Sequence, residues 1–383
     1  MGIKLHGVHS IPVPLHMDIG DCLNKCKYCF VGSTDKKTSL KQIENSINKK
    51  YDGSLLSYYL ENRYPICISN TSDFFNCKDK ELYKQEIKIL KDAGFPLYYQ
   101  TKGYIEDKDL EWFLDIIDKK DVVYITITSF SENELEKNVP VTNKIKLIKH
   151  LYEKNVYLNI GFNPIISKYI KNEEIIDFMK TYKNADYIIH PLHGIKNKYF
   201  YSKEINKLTR ENVFKINDII DFAIKNNISI RSKNLFAVGT LSYGDRLKKH
   251  FGKKIIIGSD IENVCKKYYN DYYNDRNETD ESLAVGVLFR EFYKEKKNEI
   301  LDITLKSSEI RIIDNFISKR LPKYISYKDY LELCWQNPKH INSFCTFSSV
   351  IWDYEDDNNI EVEYYYPLQK ILIKNLEIIR RWL

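Results

Sequence analysis

Three cysteines fall within eight residues, Cys22, Cys26 and Cys29, in the run DCLNKCKYCF at 21–30. The spacing is C-x3-C-x2-C; iron–sulfur clusters are held by cysteine thiolates, and three close cysteines in one loop can reach three irons. A cube of four irons normally takes four such ligands. Three would leave one iron open, and an open iron can bind a second molecule. The rival metal is zinc, whose closed tetrahedral site needs a fourth ligand. His6, His9 and His16 lie just upstream and could supply it. The spacing matches none of the common finger and ribbon patterns, so iron–sulfur is the preferred reading. With zinc instead, the chain would be a zinc-stabilised nucleic-acid-binding protein without catalysis. The other five cysteines, at 67, 77, 265, 334 and 345, are scattered. One tight cluster in a long chain is not the pattern of a secreted disulfide scaffold.

The cluster needs elements to hold it. Short β-rich apolar runs occur at 14–20, 65–70, 96–101, 122–128, 156–162, 187–191 and 228–232. Amphipathic helical patterns lie between them, near 38–61, 79–93, 107–119, 141–155, 172–183 and 209–226. The pattern at 79–93 stops at Gly94, a C-cap signal. Strand–helix alternation implies a parallel sheet with helical crossovers. The expected fold is therefore α/β, a partial (β/α) barrel of the TIM-barrel kind over 1–231. A doubly wound open sheet is the alternative. The region 232–383 is expected to be mostly helical, with stretches near 282–300, 307–320 and 326–336, and to cover the substrate. In such barrels function gathers at the loops after the strand C-termini, and the cysteine run directly follows the first strand.

Composition narrows the class. The chain has 383 residues, 43% hydrophobic and 29% charged, with a net charge of +6. No run reaches the ~18 apolar residues of a spanning helix, and the N-terminus has no signal-peptide core. A soluble cytoplasmic protein without membrane contact is the expectation. Mild basicity leaves a nucleic acid among the candidate substrates. His190 and His193 after the sixth strand could bind substrate. Cys265, Cys334 and Cys345 are candidates for an auxiliary cluster that lacks a fourth cysteine.

The three-cysteine run after the first strand of a β/α-alternating chain resembles the radical S-adenosylmethionine superfamily. Tyr28, the aromatic residue before the last cysteine, fits that pattern. The resemblance implies a [4Fe-4S] cluster on Cys22, Cys26 and Cys29, with S-adenosyl-L-methionine on its open iron. It further implies one-electron cleavage of that cofactor to a 5′-deoxyadenosyl radical, which abstracts hydrogen from an unidentified substrate. A reductant such as a flavodoxin or ferredoxin would supply the electron. SNTSDFF at 69–75, Gln100-Thr101-Lys102, Thr126-Ile127-Thr128-Ser129, Pro140 and Asn163-Pro164-Ile165-Ile166 resemble the spore photoproduct lyase branch. By that resemblance Ser72 and Lys102 contact the cofactor, with Thr126 or Ser129 beside them, and Tyr28, Asp73 and Lys144 are further candidates for cofactor binding. Lys144 or Lys146 stands where the branch carries an arginine. The branch also has a hydrogen-donating cysteine directly before Thr-Ser-Asp, where this chain has Asn70.

Overall fold

The computed structural model describes residues 2–5, 13–29, 38–69, 72–191 and 217–232, with short pieces at 247, 249–252, 298, 304–306, 324–326 and 328–329. The strands are β1 (Lys4–Leu5), β2 (Leu15–Met17), β3 (Ile66–Ile68), β4 (Leu97–Thr101), β5 (Val122–Ile127), β6 (Tyr157–Ile165), β7 (Asp186–Pro191) and β8 (Ile230–Ser232). They form one sheet in sequence order. β1 pairs antiparallel with β2, and every later strand is parallel to its predecessor. Among the described residues no pairing joins β8 back to β1, so the sheet is open. Between strands run α1 (Leu40–Ile47), α2 (Leu55–Glu61), α3 (Lys80–Asp92), α4 (Asp107–Ile116), α5 (Val141–Glu153), α6 (Asn172–Thr181) and α7 (Asn217–Lys225). A 3-10 turn, Glu134–Glu136, precedes α5.

Both faces of the sheet are buried, which is why β5 reads VVYITI without polar alternation. Side chains still alternate between two environments. Leu97, Tyr99, Val123, Ile125, Ile160 and Phe162 belong to the main core with the helices. Cys67, Tyr98, Val122, Tyr124 and Ile188 face the other way, onto what is here termed the inner face. There they meet Val13, Leu247 and Phe251. His250 joins this layer, its ring 4.6 Å from that of Tyr157 and its Nε2 3.2 Å from the Asp121 carbonyl. Leu247, His250 and Phe251 therefore cover the N-terminal end of the inner face. Each fully buried large apolar side chain there contributes about 1.5–3 kcal/mol.

The structure departs from the sequence expectations in four places. β1, only two residues long, gave no periodic signal. The helical pattern at 38–61 is two helices. Asp52 breaks it by accepting from Ser54 N at 3.0 Å and Ser57 Oγ at 2.7 Å, and the Ser54 hydroxyl then caps α2. β6 runs on to Ile165, with a register shift between Phe162 and Ile165. Beyond 232, the described pieces include β9 (Thr304–Lys306) paired antiparallel with β10 (Tyr324–Ser326), short strands between the stretches expected to be helical. The expected helices near 282–300, 307–320 and 326–336 lie almost wholly outside the described residues.

Candidate functional site

The cysteine loop leaves β2 and is fastened at both ends. Cys22 forms a backbone bridge with Cys77, and Leu23 N donates to the Asn76 carbonyl at 2.8 Å. At the far end Lys27 N donates to the Leu135 carbonyl at 2.9 Å. Lys25 between them sits at φ 51°, a left-handed turn that brings Cys26 and Cys29 to the same side as Cys22. None of the three is in a disulfide, and all are half-buried. Burial, then the Asp73 charge, pushes the Cys22 thiol up to about 11. Burial pushes Cys26 up to about 12; Lys102 opposes this, while Glu136 and the neighbouring thiols add to it. Cys22 and Cys26 thus each feel the neighbouring thiols, and a cation is needed before these two ionise near neutral pH. Among the described residues no three His, Cys, Asp or Glu side chains converge as a single ion would require. Ligands of separate irons need not converge in this way. His16 faces inward on β2 with Asp18 3.4 Å from its Nε2; His6 and His9 lie outside the described residues.

Asp73 is the hub of the rim. Its carboxylate is 1% exposed and accepts from Asn24 Nδ2 (2.8 Å), Phe75 N (3.0 Å), Thr101 Oγ1 (3.0 Å) and Lys102 N (2.5 Å). Burial raises its pKa against these donors. It ties the loops after β2, β3 and β4 together, a structural task the sequence reading did not assign it. Ser72 donates to the Ile19 carbonyl at 2.9 Å, so its hydroxyl lies beside the cysteine loop.

A second cluster joins Tyr28, Lys102, Thr128, Glu136 and Lys144. Lys102 Nζ lies 4.8 Å from the centroid of the Tyr28 ring, 3.3 Å from the Asn163 carbonyl and 3.6 Å from Glu136 Oε1. Tyr28 donates its hydroxyl to Glu136, and Thr128 Oγ1 does so at 3.0 Å. Lys144 Nζ meets Glu136 Oε2 at 2.9 Å, both side chains no more than 1% exposed. Burial opposes the ionisation of Glu136, but Lys144 and Lys102 hold its pKa at about 2. Gly103 makes this packing feasible. It sits at φ 85°, and a Cβ there would come 2.9 Å from Lys144 Cγ.

Among the described residues, the other expected site residues lie on β5, α5 and β7 and in the turn after β5. Thr126 follows the Thr101–Ile125 pair on β5 beside Lys102. It is 5% exposed, and its Oγ1 has no hydrogen-bond partner in the protein. On the adjacent strand it faces Gly161, where any Cβ would collide with Tyr124. Ser129 is buried in the turn after β5, accepting from Ser131 N at 3.0 Å, apart from the lysine cluster. Lys146 points outward to Asp107 at 2.6 Å. Lys144 is enclosed against Glu136 and stands behind the rim. His190 lies on β7; the His190 side chain, His193, Asn70, Cys265, Cys334 and Cys345 are outside the described residues. The sequence reading missed Glu136, Thr128 and Asn24. No local spacing marks them, because their partners are up to 108 residues away.

No protein-family model matches the chain, and no curated protein matches it. Among solved structures, similarity is found to SuiB from Streptococcus suis bound to S-adenosylmethionine. That match is 15% identical with a TM-score of 0.37, and it covers 55% of this chain and 44% of that one. SuiB bound to its precursor peptide SuiA is 14% identical with a TM-score of 0.40, covering 57% and 47%. The structure of anSMEcpe with bound AdoMet is 15% identical with a TM-score of 0.35, covering 55% and 59%. The matched region spans about half the length of these SuiB chains.

Proposed function

We propose that this protein is a radical S-adenosylmethionine enzyme whose cluster is held by Cys22, Cys26 and Cys29. The observation that carries the reading is their placement. Three mutually interacting thiols leave β2 onto a rim where Lys102 and the unpartnered Thr126 hydroxyl also stand. The donor set suits the group: soft thiolates for iron, an ammonium for a carboxylate and a hydroxyl for a ribose. Bound there, an iron–sulfur cluster would supply the electron that cleaves the cofactor's sulfonium bond and so generates a carbon-centred radical.

The chain's own residues bind and shield. Lys102 receives the methionyl carboxylate, with Ser72 and Thr126 as hydroxyl partners. Asp73 keeps the three rim loops in place, and Tyr28 backs Lys102. The covered floor of the inner face, formed by Val13, Leu247 and Phe251, keeps water from that end. The resemblance to the spore photoproduct lyase branch is part of this proposal, as is a flavodoxin- or ferredoxin-like electron donor. The substrate stays unassigned.

The test is direct. Anaerobically reconstituted protein should be brown, with about four irons per chain and broad absorption near roughly 400 nm. With dithionite and S-adenosylmethionine it should release 5′-deoxyadenosine. Cys26→Ala should lose both the cluster and the product, whereas Cys67→Ala should keep the iron. A colourless wild-type protein holding stoichiometric zinc would refute the proposal and establish the zinc alternative.

A further inference from the structure

Glu136 lies outside the cysteine loop, yet more of the rim depends on it than on any side chain except Asp73. Its carboxylate, 2% exposed, has one fixed anchor in Lys144 of α5 at 2.9 Å. Gly103 packs directly on Lys144, so that anchor has little room to move. The remaining contacts reach forward: Thr128 after β5, Tyr28 between two of the cysteines, and Lys102 at the end of β4. One carboxylate therefore sets the geometry of four separate segments.

Lys102 is the partner of Glu136 that faces the rim. Its side chain is 21% exposed, and its 3.6 Å contact with Glu136 is longer than the 2.9 Å contact of Lys144. Glu136 holds it without consuming it. A lysine with no such partner loses rotamer freedom when a ligand fixes it. A lysine already held over the Tyr28 ring has given up much of that in advance. The charges also leave a remainder. Lys102 and Lys144 against Glu136 leave one positive charge, which a single carboxylate would balance.

We propose that Glu136 is a positioning residue: it pre-sets Lys102 and Tyr28 so that the carboxylate of an α-amino-acid cofactor meets an already ordered ammonium. This rests on the reading of the cysteine rim as an S-adenosylmethionine site. Lys144 is then the buried counter-ion that lets Glu136 stay charged.

A double-mutant cycle on equilibrium binding of S-adenosylmethionine, measured by calorimetry on the reconstituted protein, tests this. Iron content and the visible spectrum serve as checks on the cluster. Lys102→Met and Glu136→Gln should each weaken binding about tenfold with iron unchanged, and the double variant should be no weaker than Lys102→Met alone. Glu136→Asp, which keeps the charge, should recover most of the affinity. The change that the cofactor induces in the electron paramagnetic resonance of the reduced cluster should survive in Glu136→Gln, but at about tenfold higher cofactor concentration. If Glu136→Gln does not fold because Lys144 is left unpaired, Glu136→Gln/Lys144→Met takes its place in both arms of the cycle. Additive losses of about a hundredfold, or unchanged affinity in Glu136→Gln, would overturn the inference while leaving the cofactor site standing. A wild-type protein that binds iron as expected but not the cofactor would overturn both.

Discussion

The residues of this rim are held by contacts with a common logic: buried charge is tolerated where hydrogen-bond donors are counted out to meet it. Asp73 has four donors and Glu136 has two lysines and two hydroxyls. Glu86 of α3 is the exception. It is fully buried, neither oxygen has a partner, and burial raises its pKa to about 8. The carboxyl is therefore protonated in the folded protein at neutral pH, while the unfolded chain ionises near the ordinary glutamate value of about 4.3. Between those two values unfolding releases a proton, so stability falls as pH rises through the window. Each pH unit crossed within it costs up to about 1.4 kcal/mol. Glu86→Gln removes the titration, and its stability relative to wild type should improve by about 2 kcal/mol or more from pH 5 to pH 8. Thermal melts of both proteins at the two pH values check this; a constant difference would show that Glu86 has a partner when folded.

At the scale of elements, the local patterns were readable and the junctions were not. The seven parallel strands and the helices between them sit near their expected positions, because each strand is a short β-rich apolar run and each helix carries its own periodicity. The cysteine spacing was equally local. What could not be read was the fastening of one loop to another. Asn24 meets Asp73 across 49 residues, and Tyr28 meets Glu136 across 108. Nothing in a stretch such as ENELEK separates Glu136 from the half-buried Glu134, since the difference is only the direction in which a 3-10 turn aims each side chain. Asp73 shows the consequence for stability. Asp73→Asn puts an amide donor against donors from Asn24, Thr101 and the Lys102 backbone. The expected loss is about 2–3 kcal/mol. The cysteine loop should loosen as well, so alkylation of Cys22 and Cys26 in the metal-free protein, slow at pH 8 because both thiols titrate near 11–12, should accelerate. Mass-spectrometric labelling and a denaturant titration read the two effects. Unchanged values in both would mean that Asp73 does not tie the loops.

For the molecule as a whole, the sheet presents a rim with chemistry at one end and a closed floor at the other, and this bears on which reaction it can complete. The resemblance to the spore photoproduct lyase branch makes repair of a thymine dimer the obvious activity to test. That reaction requires a thiol at the rim to return a hydrogen atom to a carbon radical. Asn70 stands in the donor's place, and an amide N–H bond is too strong to give up its hydrogen. Strand alternation cannot carry another thiol there, because the chain turns at Ser69, whose φ is 73°. Cys67 does face inward, but it lies in register with His16 and Tyr98 and is fully buried against Val13, Leu247 and Phe251. Lys102 is four residues further along its strand than Tyr98, which at about 3.3 Å per residue puts Cys67 roughly 13 Å below the rim. Cys77 is 2% exposed, belongs to the helix-side core and donates to the Phe74 carbonyl. Cys67 thus lies below the rim, and the Cys77 thiol, although its backbone bridges to Cys22, is turned into the helix-side core. The protein should therefore cleave S-adenosylmethionine without converting a dinucleotide spore photoproduct to two thymines. An anaerobic assay with dithionite, following both 5′-deoxyadenosine and thymine release, decides the matter. Stoichiometric thymine release that disappears in Cys67→Ala would show that the floor opens during turnover and that Cys67 is the donor after all.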